Sequence, residues 1–168
     1  RSSLQQRATG TGRMLAVGLS ADSLYKALQQ KPEGVSVAAV NSPNSVTLSG
    51  DADALADIAN QLEIFGVFNK FLNVEVPYHS PLMDPLREDL LAGLADLQTR
   101  DADVALYSTV TGTRIRGGAV DAGYWWRNVR RSVQFAAAFS ELVSDGYTHI
   151  VELSPHPVLA TSMQEVLD

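Results

Sequence analysis

Val35-Ser36-Val37-Ala38-Ala39-Val40, Asn41-Ser42-Pro43-Asn44, Ser45-Val46-Thr47-Leu48-Ser49: two β-rich runs stand on either side of four turn-forming residues. Valine and threonine suit a pleated, half-buried surface. Asparagine, serine and proline in succession carry the chemistry of a turn. The stretch predicts two adjacent strands joined by a hairpin, and the rest of the first half of the chain can be placed around it.

Upstream, residues 14–19 form a short apolar run. Ser20 stands where it can cap a helix over 21–30, with Leu24, Ala27 and Leu28 on one face. Pro32 and Gly34 end it. Downstream, Gly50-Asp51 leads into a helix whose apolar face is Leu55, Ile58 and Leu62, at spacings of three and four, and Gly66 closes it. Residues 68–76 then alternate, with Lys70 as an exception on one face, and read as a strand. The order β-α-β-β-α-β is the ferredoxin-like arrangement of two βαβ halves. It predicts a small subdomain over residues 13–76.

The pattern changes at Pro77. Asp84 and Pro85 predict the start of a helix, with Leu86, Leu90, Leu94 and Leu97 on its buried face. Residues 104–110 read as a strand, 112–121 as a loop, and Tyr124-Trp125-Trp126 as the start of an aromatic segment. A helix over 132–143 turns Phe135, Phe139 and Leu142 inward and stops at Gly146. A β-run over 148–153, a turn at Pro155-His156-Pro157 and a short helix over 158–167 finish the chain. Strands alternating with helices place residues 77–168 in an α/β layer.

Composition narrows the function. With 168 residues there is enough chain for one good core or two small subdomains sharing an interface. No apolar run approaches the ~20 residues of a membrane span, which argues against a membrane partner. The net charge is −6, and basic residues are scattered apart from Arg127, Arg130 and Arg131, which argues against nucleic acid. The absence of cysteine removes disulfides, thiolate metal sites and a thiol nucleophile, and suits a reducing cytoplasm.

Three histidines remain as the natural carriers of chemistry. His79 follows a strand end in Val76-Pro77-Tyr78-His79-Ser80-Pro81, where α/β folds place reacting groups. A loop histidine that satisfies backbone groups is the plainer reading. His156 belongs to a rigid proline-flanked turn, and His149 is a strand-entry residue. No serine has the G-x-S-x-G setting of a nucleophile elbow. The histidines lack metal-ligand spacing. Gly10-Thr11-Gly12 is too little for a phosphate loop. The Tyr-Trp-Trp cluster reads as core or interface, since no basic groove accompanies it. These signals give an α/β chain with one interesting histidine and no reaction.

The wording of the motifs adds more. Gly10-Thr11-Gly12-Arg13-Met14-Leu15-Ala16-Val17, Ala39-Val40-Asn41-Ser42-Pro43 with Val46-Thr47-Leu48-Ser49-Gly50-Asp51, Tyr78-His79-Ser80-Pro81-Leu82-Met83, Tyr107-Ser108-Thr109-Val110-Thr111-Gly112, Tyr124-Trp125-Trp126-Arg127-Asn128-Val129-Arg130 and Glu152-Leu153-Ser154-Pro155-His156-Pro157-Val158-Leu159 follow one another in family order. The chain resembles the acyltransferase domain of modular type I polyketide synthases, of the malonyl-CoA:acyl-carrier-protein transacylase family. The resemblance covers essentially the whole chain.

The resemblance implies a ferredoxin-like subdomain (13–76) inserted in an α/β-hydrolase-like one, of which 77–168 is the returning C-terminal part. It implies a ping-pong reaction. A serine attacks the acyl-CoA thioester, a histidine takes its proton, and the acyl-serine passes to the phosphopantetheine thiol of an acyl carrier protein. No cofactor is bound. The histidine falls at His79. The main-chain carbonyl that orients it falls at Asn128, and the arginine that holds the extender's carboxylate falls at Arg1. Arg1-Ser2-Ser3 reads as the middle of a longer chain, so the serine is expected outside these residues and the chain alone is expected to be inactive. Neighbouring synthase domains such as ketosynthase are implied partners.

Substrate choice in the family is associated with the four residues ending at the histidine, here Val76-Pro77-Tyr78-His79. They match neither the His-Ala-Phe-His malonyl pattern nor the Tyr-Ala-Ser-His methylmalonyl one. The large ring of Tyr78 should crowd an α-methyl group, which favours malonyl over methylmalonyl. One methyl is worth only ~1–3 kcal/mol of discrimination. Two other readings compete: an acyl-thioester hydrolase on the same fold, and a non-catalytic docking or structural module.

Overall fold

A computed structural model describes residues 2–29 and 32–168. The chain opens with a short helix α1 (Ser2–Gln5) and a 3₁₀ turn, Gln6–Ala8. Strand β1 (Arg13–Val17), helix α2 (Ala21–Ala27), strands β2 (Val35–Ser42) and β3 (Ser45–Gly50), helix α3 (Ala52–Ile64) and strand β4 (Asn69–Phe71) follow. After a 3₁₀ turn at Pro81–Leu86 come α4 (Arg87–Gly93), β5 (Leu106–Ser108), β6 (Thr113–Ile115), α5 (Ala122–Arg130), β7 (Val133–Gln134), α6 (Phe135–Ser144) and α7 (Ala160–Leu167). The mixed α/β class expected from the sequence is the one observed.

The main sheet runs β4-β1-β3-β2-β7. Each neighbouring pair among its first four strands is antiparallel, with Leu15 opposite Leu48 and Val17 opposite Val46. That is the strand order a ferredoxin-like β-α-β-β-α-β chain produces. Leu15, Val17, Val46 and Leu48 meet Leu24 and Leu28 from the α2 segment and Leu55, Ile58 and Leu62 of α3 in one buried cluster. The helices start where polar caps allow. Ser20 Oγ accepts from Ser23 N–H, and Asp51 Oδ1 accepts from the N–H groups of Asp53 and Ala54. Helix α3 ends on Gly66 at φ +67°, with Gly66 N–H bonded to Glu63 O and Val67 N–H to Leu62 O. This paired return satisfies carbonyls that the helix end would leave unbonded.

Several elements depart from the sequence reading. Strand β4 stops at Phe71 rather than 76. Leu72 N–H reaches Met14 O and Gly10 N–H donates to Glu75 O, but among the described residues no ladder continues along 73–76. The helix expected from Asp84 is a 3₁₀ turn from Pro81 and becomes α-helical only at Arg87. Pro81 presets the first turn, and Pro85 inside it has no N–H to give an α-helical ladder. Because α4 closes at Gly93, Leu97 is left exposed rather than buried.

The 112–121 loop holds a strand. Gly112, at φ +74°, returns the chain so that β6 pairs with β5, and Gly112 N–H bonds Ser108 O. Strand β7 is a two-residue parallel addition to β2, followed at once by α6. The expected strand at 148–153 does not form. Val151 is 80% and Leu153 95% exposed, and no neighbouring strand among the described residues offers a ladder. A strand needs paired backbone groups, not only the right residues. Among the described residues no helix is long and apolar enough to cross a membrane.

Candidate active site

The path from β4 to His79 is built by burial. Val76 and Pro77 are buried, and Tyr78 packs beside the cluster of Ala8, Val76, Met83, Leu86, Leu90 and Val129. Tyr78 N–H bonds Val76 O at 2.9 Å. Buried Ser80 donates its hydroxyl to Pro77 O at 2.8 Å. Both bonds fold the loop tightly around His79.

His79 itself lies at φ +62°, in the left-handed region. Side chains with a Cβ avoid that region at a cost of roughly 1–2 kcal/mol, and such conformations cluster at functional sites. Two bonds to one helix end hold it there. His79 N–H donates to Val129 O at 3.1 Å, and Nδ1 lies 2.7 Å from Arg131 O. A carbonyl only accepts, so Nδ1 carries the proton and Nε2 is the basic nitrogen of the neutral ring. A base oriented by a third group in this way is the arrangement that activates a hydroxyl nucleophile.

The carbonyl assigned to Asn128 from the sequence is therefore corrected: the ring is met by Arg131 O, three residues on. Helix ends leave carbonyls without intrahelical partners. Helix α5 ends at Arg130, Arg131 turns to extended backbone, and its oxygen points to the loop. Arg130 Nε also holds Asp84 Oδ1 at 2.6 Å, tying the 3₁₀ turn after His79 to the same helix end. The sequence reading missed Arg131 and this ion pair. The Arg127, Arg130 and Arg131 cluster was visible, but nothing local said where the helix would stop.

Other expectations place as follows. Arg1 lies outside the described residues. His149 is exposed, its Nδ1 2.9 Å from Thr148 Oγ1. The Pro155-His156-Pro157 turn is held by Glu152, whose carboxylate accepts from Val158 and Leu159 N–H. Burial pushes the Glu152 carboxyl up, but the bonds from Val158, Ser154 and Leu159 outweigh it and leave it below the usual range. Tyr124 is buried core, its hydroxyl 2.9 Å from Ser108 Oγ. No group of three or more metal-ligating side chains occurs among the described residues. Ser80, the serine nearest in sequence to His79, is committed to Pro77 O.

An acyl transferase domain model matches residues 1–168. The chain belongs to the acyl transferase domain family. It is 43% identical to polyketide synthase GfsB of Streptomyces halstedii, over all of this chain and 3% of that protein. The acyltransferase domain from module 8 of the salinomycin polyketide synthase superposes with a TM-score of 0.93 at 36% identity, covering 98% of this chain and 39% of that one. The loading acyltransferase of the avermectin polyketide synthase gives 0.91 at 36% identity, over 99% and 54%. The chain thus spans a small part of the synthase and about half or less of the solved domains. Within the family, the chain stands with the polyketide synthase acyltransferases.

Proposed function

We propose that this chain supplies the histidine base and one wall of the acyl pocket in a cytoplasmic polyketide synthase acyltransferase that takes malonyl in preference to methylmalonyl. The observation that carries the reading is His79, held at φ +62° with Nδ1 on Arg131 O. That geometry supports Nε2 as the proton-accepting nitrogen. The nucleophile is a serine outside these 168 residues, and the chain alone does not turn over.

In the first half-reaction the serine oxygen bonds the malonyl carbonyl carbon and its proton goes to His79 Nε2. The C–S bond breaks and the CoA sulfur leaves with that proton. In the second, the phosphopantetheine thiol of the acyl carrier protein gives its proton to Nε2 and takes the acyl group, and the serine recovers its proton. General-base catalysis of this kind contributes roughly 10²–10⁴-fold. Arg1 is assigned the extender's free carboxylate, which a planar guanidinium binds with two bonds. Val76, Pro77 and Tyr78 shape the space beside the α-carbon. A ketosynthase and other synthase domains are the expected neighbours.

The test is intact-protein mass of the complete domain after mixing with equal malonyl-CoA and methylmalonyl-CoA. A malonyl adduct on a serine, lost on adding carrier protein and abolished by His79→Ala, is expected. A methylmalonyl adduct would keep the reaction and overturn the role given to Tyr78. No adduct of either kind from folded protein would sink the assignment for these substrates, and release to water in the presence of carrier protein would favour a hydrolase.

A further inference from the structure

Gln5 closes α1, far from the His79 loop in sequence, yet its Oε1 accepts from the Tyr78 hydroxyl at 3.4 Å. Its Nε2 is buried with no hydrogen-bond partner among the described residues. The carboxamide of half-buried Gln5 thus makes one bond among the described residues, to one phenol. The Tyr78 ring lies with its centroid 6.2 Å from that of His79 and is tilted by 48°. Its inner edge rests against an apolar cluster that includes Val76 and Met83. Apolar contacts are non-directional, and an aromatic ring beside them can still swing about χ1 and χ2. Among the described residues, the directional bond on the ring is the one to Gln5.

We infer that Gln5 is a positioning residue for acyl-group selection: it clamps the Tyr78 ring beside His79 and so fixes the room left for a substituent on the α-carbon of the acyl group. The inference rests on the acyltransferase reading above. A clamped ring excludes an α-methyl group by occupying a set volume, whereas a released ring yields to it. The bond is long, so its removal belongs in the lower half of the range for neutral side-chain hydrogen bonds, equivalent to roughly a two- to fivefold change.

The experiment uses the complete acyltransferase domain and measures kcat/KM for malonyl-CoA and methylmalonyl-CoA in competition. Gln5→Met keeps the volume and removes the acceptor, and Tyr78→Phe removes the donor. Each should raise the methylmalonyl-to-malonyl ratio roughly two- to fivefold, and the double variant should do no more than either alone, because both remove the same bond. An unchanged ratio in Gln5→Met, or effects that multiply in the double variant, would overturn the clamp. A second measurement needs no activity. Fluorotyrosine placed at position 78 should show a shifted or broadened ¹⁹F line in Gln5→Met, and an unmoved line would refute the inference. A wild-type domain that acylates with neither substrate would count against the acyltransferase reading, while the ¹⁹F result would still decide the clamp.

Discussion

Replacing His79 by glycine should leave the domain more stable than replacing it by alanine, the reverse of the usual order. At an ordinary position glycine is the worse choice by roughly 0.4–1 kcal/mol, because it enlarges the freedom of the unfolded chain. At φ +62° alanine keeps a Cβ in the left-handed region, at a cost of roughly 1–2 kcal/mol that glycine does not incur. The midpoints of the two ranges leave glycine ahead by about 0.8 kcal/mol. Both variants keep the backbone bond to Val129 O and lose the ring bond to Arg131 O, worth about 0.5–1.5 kcal/mol. That loss therefore cancels in the comparison. Denaturant midpoints of the complete domain measure the difference directly, provided the m-values agree. Acyl transfer should fall in both by roughly 10²–10⁴-fold. Alanine equal to or above glycine in stability would show that the loop does not hold His79 in the left-handed region, and the account of how the base is oriented would fail with it.

Three further outcomes follow from named contacts. A Cβ at Gly12 would stand 2.4 Å from Gly50 O and 2.9 Å from Pro77 Cβ. Gly12→Ala should cost about 1–3 kcal/mol, at about 2–4 °C of Tm per kcal/mol, and should slow transfer by shifting the approach to His79; an unchanged calorimetric Tm would refute the close approach. Tyr107 donates its hydroxyl to Asp145, and that bond, with burial and the nearby carboxylate charge, pushes the phenol up to about 12. Its contribution is complete below pH 10 and is lost as pH rises through about 12, so ultraviolet titration should show the Tyr107 phenol ionising late, and Asp145→Asn should bring it back. Glu152, held low by its bonds to the 154–159 turn, steadies that turn above the ordinary carboxylate range and loses the effect as pH falls through its own lowered value. Carboxyl NMR should place it below the usual glutamate range, and Glu152→Gln should remove the acid sensitivity of the Val158 and Leu159 amide signals.

The parts of the fold that sequence made legible are those whose signals are local. The hairpin around Pro43-Asn44, the three-and-four spacing of Leu55, Ile58 and Leu62, and the Ser20 cap each act within a few residues and reappear in the structure, with the turn narrowed to 43–44 because Asn41 and Ser42 continue β2. Residues 148–153 carry as good a strand pattern, but a pattern cannot supply the neighbouring backbone that a ladder needs. Asn128 and Arg131 show a finer limit. The motif located the segment, while the carbonyl that meets His79 depends on where α5 ends, and local sequence does not fix that end. Gln5 gave no signal at all, because its meaning lies in a partner 73 residues away.

The short strand β7 has a practical corollary for synthase engineering. Its two residues lie alongside Ala39 and Val40, Gln134 N–H continues to Thr109 O at 2.6 Å, and α6 packs against β2, β5 and β6. A transplant that exchanges residues 13–71 to borrow another domain's small sheet therefore cuts through a sutured edge, not a free one. The donor must match the recipient at Ala39 and Val40, on the far side of the sheet from both splice points. Chimaeras chosen by junction sequence alone would leave that suture unmatched, and the mismatch would be felt at Thr109 and α6 rather than at the junctions themselves.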